Sequence, residues 1–71
     1  METNCLNKLF DANGVEIKHL AHVLVPDPNE TDIHSFEFIG VAVDFLDNGN
    51  VIVEDYDGDF FEIEASRLEI Q

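Results

Sequence analysis

Between Phe36 and Ile70 apolar residues recur at every second position, and clusters of Asp, Asn and Gly cut the run into short lengths. Strand side chains point alternately to opposite faces, so this pattern demands half-buried strands rather than helices. Ile39, Val41, Val43 and Phe45 share one face of the first length and are read as core, with Gly40, Ala42 and Asp44 on the other. Phe36 and Phe38 fall in the opposite phase, so the apolar face would swap sides unless something breaks the pleat. Gly40 is the expected place, because a bulge costs least at glycine. Asn48-Gly49 supplies the positive φ of the primed turns that match strand twist. Val51 and Val53 then resume the inward face. Tyr56-Asp57-Gly58-Asp59 repeats the turn chemistry, and beyond it Phe61 and Ile63 alternate with Glu62 and Glu64. Ala65-Ser66-Arg67 is too short for a helix and suits one 3₁₀ turn. Leu68 and Ile70, either side of Glu69, make a short last strand.

The earlier half is patterned more weakly. Met1 to Asn7 reads as a frayed lead or a first edge strand. Asp11-Ala12-Asn13-Gly14 is a turn signal between Lys8–Phe10 and Val15–Lys18, which together suggest a small hairpin. His19 to Val25 is apolar enough for helix or strand. Val25 precedes Pro26, and the residue before proline avoids the helical region, which favours strand. Pro26 to His34 has the composition of a loop, and loops carry function more often than frames do.

Gly40-Val41-Ala42-Val43-Asp44-Phe45, Asn48 to Asp55, Asp57 to Ile63 and Arg67-Leu68-Glu69 together resemble short acidic bacterial proteins with an SH3-like barrel. The resemblance implies an all-β fold: a small SH3-like, partly open barrel of five to six antiparallel strands, with one 3₁₀ turn before the last. It implies no activity. Peptide-binding SH3 domains use a tryptophan in an aromatic groove, whereas this chain has no Trp and Tyr56 as its one Tyr.

Seventy-one residues are read as one domain, 1–71. Chains below about 70–80 residues rarely build a strong core without staples, and a single cysteine, Cys5, excludes an internal disulfide. One cysteine fits a reducing compartment. No apolar run approaches the ~18 residues of a membrane span, so the expectation is a cytoplasmic protein without membrane contact.

Sixteen acidic residues face three Lys and Arg, for a net charge of −13. Affinity for nucleic acid rests on basic side chains that neutralise phosphates, so direct binding to it is excluded. A basic protein surface is the natural partner, and self-association is the other expectation for a small core. The expected partner-binding residues are Asp44, Glu54, Asp55, Asp57, Asp59, Phe60, Glu62 and Glu64. Carboxylates on one sheet face recur about every 6.6 Å along a strand and about 4.8 Å across strands. Such a lattice offers a second reading, a nucleic-acid mimic that inhibits a DNA- or RNA-handling protein. Phe60, Ile52 and Phe36, if they face outward, give the acidic rim an apolar centre, which is how partner sites are built.

Catalytic and metal chemistry find little support. Asp55-Tyr56-Asp57-Gly58-Asp59 imitates the start of a calcium loop, but Phe60 stands where the loop needs glycine and Ser66 where it needs its bidentate acid. It is read as a hairpin turn with solvated carboxylates. His19, His22 and His34 are the basis for a metal-dependent alternative, although residues three apart in a strand point to opposite faces. Ser35 and Ser66 lie in no nucleophile pattern, and Cys5 has no base beside it in sequence. The expectation is a non-enzymatic module with no cofactor, catalytic residue or metal ligand.

Overall fold

The computed structural model describes residues 8–26 and 36–71. The expected lead Met1 to Asn7 with Cys5, and the loop residues 27–35 with His34 and Ser35, lie outside them. The described residues form one open antiparallel sheet of five strands: β1 His22–Val25, β2 Phe38–Phe45, β3 Asn50–Glu54, β4 Phe60–Glu64 and β5 Glu69–Ile70. Their spatial order is β4-β3-β2-β1-β5, which leaves β4 and β5 at the two edges. No helix occurs among the described residues; a 3₁₀ turn spans Ala65–Arg67, as the sequence predicts. The expected first hairpin is present as the Phe10–Glu16 bridge, reinforced by the Ile17 N–H donating to the Leu9 carbonyl at 2.8 Å.

One turn design is used three times. Asp11–Val15, Leu46–Asn50 and Asp55–Asp59 each close with the N–H of the first residue donating to the carbonyl of the fifth, at 2.8, 2.9 and 2.9 Å. In each, the fourth residue is a glycine, at φ +82, +91 and +91 for Gly14, Gly49 and Gly58, and it donates back to the carbonyl of the first. These are three-residue loops ended by a left-handed glycine, not the primed two-residue turns that Asn48-Gly49 suggests, for Asn48 keeps a negative φ. Asp11 and Asp55 stabilise their turns in the same way. The Asp11 Oδ1 accepts the N–H groups of Asn13 and Val15 at 2.9 and 2.8 Å, and the Asp55 Oδ1 accepts those of Asp57 and Asp59, both at 2.9 Å.

The core is made largely of β-branched side chains, which suit a pleated surface. Val23, Val25, Ala42, Val51, Val53, Ile63 and Leu68 are buried together with Ile17. Phe38, Phe45, Phe61 and Ile70 close over them, half-buried, with Phe38 and Phe61 edge to face at 5.7 Å between ring centres.

Strand β2 departs from its expected faces. Phe38, Gly40 and Ala42 point inward, whereas Ile39 and Val41 point outward. The phase reverses at Val43, a bulge between the pairs Ala42–Val53 and Asp44–Ile52, and not at Gly40. Gly40 has a different task. A Cβ there would stand 2.6 Å from the Val53 Cγ1 and 2.7 Å from the Glu54 carbonyl oxygen, so the missing side chain is what lets β3 lie so close.

Candidate functional site

The register sorts the outward side chains into rows across the strands. Phe60, Glu54, Val41 and His22 form one row from β4 to β1; Glu62, Ile52 and Asp44 form the next; Glu64 stands opposite Asn50; and Ile39 stands opposite Leu24, itself paired with Glu69. Val41 and Ile39 therefore lie along β2 on the outer face, with Leu24 beside Ile39 and Ile52 diagonal to both Val41 and Phe60, while Glu54 separates Phe60 from Val41. Asp44, Glu62, Glu64 and Glu69 stand around these apolar side chains. Phe60 is 61% exposed and Phe36 is 82% exposed.

The structure puts the expected carboxylates in three different places. Asp44, Glu62 and Glu64 are exposed on the outer face, Glu54 is half-buried in it, and Asp57 and Asp59 belong to the β3–β4 turn. Asp55 turns inward. It is 5% exposed and its carboxylate is engaged by its own turn, so it is not a solvated acid offered to a partner. Composition gives no hint of this, because its partners are backbone N–H groups that exist only once the turn has formed.

Two outward acids also serve the fold. Asp44 accepts the Phe45 N–H at 2.9 Å. The Glu62 Oε2 accepts the side-chain amides of Asn50 at 2.7 Å and Asn48 at 3.3 Å, which holds its carboxyl below the usual glutamate range. An amide donor favours the charged form, so Glu62 keeps its negative charge in mildly acidic solution.

A second feature has no counterpart in the sequence reading. The β2–β3 ladder ends at Val41–Glu54; beyond it Phe38 to Gly40 stay paired with β1, while Asp55 to Asp59 curl away into the turn. A groove of about 420 Å³ opens in this fork, with Leu24, Phe38 and Ile39 on one side and Tyr56 and Asp57 on the other. Tyr56 is 71% exposed, and Glu37 is exposed at the groove's mouth.

Among the described residues no three His, Cys, Asp or Glu side chains converge on a point where a metal ion could sit. Nor is any helix of these residues long and apolar enough to cross a membrane. Comparison of the chain with family models, curated proteins and solved structures finds no match in any of the three.

Proposed function

We propose that this chain is a non-enzymatic, cytoplasmic interaction module, built as a small, partly open SH3-like barrel, whose acidic outer face binds a basic protein surface. The observation that carries the reading is the make-up of that face: Phe60 and Ile39 are exposed and Val41 and Ile52 half-buried on it, with Glu54 between Phe60 and Val41 and with Asp44, Glu62 and Glu64 alongside. Apolar centres exclude water and supply affinity, whereas a charged rim selects the partner and speeds encounter. Aliphatic side chains across the middle of the face interrupt the carboxylate lattice, which favours a protein surface over a phosphate-backbone mimic. A net charge of −13 on each copy opposes face-to-face self-association.

The test is affinity capture from the native host with the folded protein and with Phe60→Asp, which removes an exposed aromatic ring from the outer face without touching the core. A basic protein retained by the natural sequence at low salt, released by moderate salt and not retained by F60D, is the expected result. Equal retention by both proteins removes the reading.

A further inference from the structure

We infer that the groove in the β2–β3 fork receives a cationic side chain, arginine in preference to lysine, from the partner that the outer face binds; the inference rests on that reading. The walls are apolar on the sheet side, where Leu24 and Ile39 stand opposite each other, and aromatic on the turn side, where Tyr56 presents its ring to water. Glu37 and Asp57 line the same space, and among the described residues no basic one does. The volume, about 420 Å³, lies at the lower end of the range of roughly 300–1,000 Å³ typical of ligand sites. It suits one long side chain better than a flat surface.

Backbone geometry adds a polar handle. The Ala42 N–H donates to Ala21, so β2 bonds β1 through Ala42, Gly40 and Phe38, and by alternation the N–H and C=O of Ile39 are turned toward β3. With the ladder ended at Val41–Glu54, those groups face the groove.

Charge selects the occupant. The chain's own 27–35 segment carries Asp27, Glu30 and Asp32, a second copy brings thirteen net negative charges, and an anion meets two carboxylates. A guanidinium meets favourable terms on every side: its planar face stacks on a phenol ring, its N–H fork pairs with carboxylates and donates to a carbonyl, and its methylene stem lies along Leu24 and Ile39.

The experiment is an NMR titration of the full chain with N-acetylarginine amide, and with the citrulline analogue as the neutral isostere. Shifts confined to Glu37, Ile39, Tyr56 and Asp57 with arginine, absent with citrulline and lost in Tyr56→Ala and in the double variant Glu37→Gln with Asp57→Asn, are expected. Equal shifts with citrulline overturn the inference, as do shifts spread evenly over Glu54, Glu62 and Glu64. Contacts between the Tyr56 ring and the 27–35 segment that arginine does not displace also overturn it, by making the chain its own occupant. Should the groove variants capture the partner as well as the natural sequence while F60D does not, the groove inference falls and the outer-face reading stands.

Discussion

The Asp11 Oδ2 accepts the backbone N–H of Ile70 at 2.8 Å, joining residues 59 positions apart. The other oxygen of the same carboxylate holds the Asp11–Val15 turn. One side chain thus shapes the first hairpin and fastens it to the last strand, helped by the Ala12 N–H donating to Leu68 at 2.8 Å.

Asp11 should therefore make stability depend on acid. The bond from Ile70 is the chief cause of its lowered pKa; burial works against it, and the N–H groups of Val15, Asn13 and Gly14 support it. A folded value below the unfolded one means that this stability is fully present above the ordinary aspartate value of 3.8 and is lost as pH falls through the lower, folded value. Asp11→Asn turns an amide donor toward either Ile70 or the turn. Chemical denaturation across pH 2 to 7 should show D11N less stable near neutrality and its deficit shrinking at the acid end; a deficit that stays constant with pH would falsify the assignment.

The two acids of the β3–β4 turn should behave differently. Asp55→Ala leaves the partly buried N–H groups of Asp57 and Asp59 without this acceptor, at a cost of about 1–2 kcal/mol. Asp57→Asn changes an exposed side chain and should stay within roughly 0.5 kcal/mol of the natural protein. Urea midpoints compare them. Equal losses would mean that Asp55 acts through charge, not through its turn.

Gly40→Ala should cost about 1–3 kcal/mol by overpacking, since the added methyl meets the rigid carbonyl of Glu54 as well as Val53. At Gly14, Gly49 and Gly58 there is open space for a methyl, but their positive φ makes alanine cost about 1–2 kcal/mol through the backbone instead. The two mechanisms separate with Gly→Asn: asparagine tolerates the left-handed region and should rescue part of the loss at the turns, and it should be worse than alanine at Gly40.

Leu20 is the one described non-glycine residue with positive φ, +69, and its side chain is exposed. Its N–H donates to Ala42 at 2.7 Å and the next N–H to Lys18 at 3.0 Å, so the strained turn is what lets β1 start alongside β2. Leu20→Asn should raise stability by up to about 1 kcal/mol, because asparagine bears that conformation more easily. A melting temperature at or below that of the natural protein would show that Leu20 contributes packing that outweighs its strain.

Strands β3 and β4 could be read from the sequence because Asn50 and Glu54 bracket β3 and Glu62 and Glu64 flank Ile63, which fixes the phase as well as the period. The outward placement of Phe60 and Ile52 follows from the same phase. In Ile39 to Val43 both faces are apolar or glycine, so alternation has a period but no phase, and the reversal at Val43 leaves no mark. The inward turn of Asp55 and the reach of Asp11 to Ile70 depend on backbone groups as partners, to which residue type is blind. The groove was equally hidden, for it arises where two strands part and not from any run of residues.

Strand β4 is an edge of the described sheet, and it places Phe60, Glu62 and Glu64 on its outward side. Two copies pairing antiparallel along that edge with Glu62 at the centre would set Glu62 against Glu62, with each Glu64 two residues away, a repulsion that guards an otherwise fibril-prone neighbourhood of Val51-Ile52-Val53 and Phe60-Phe61. The guard is only as durable as its ionisation. Where strong acid removes that repulsion, the same edge becomes a template for amyloid growth, and thioflavin fluorescence should rise there while Glu62→Lys and Glu64→Lys keep the chain dispersed.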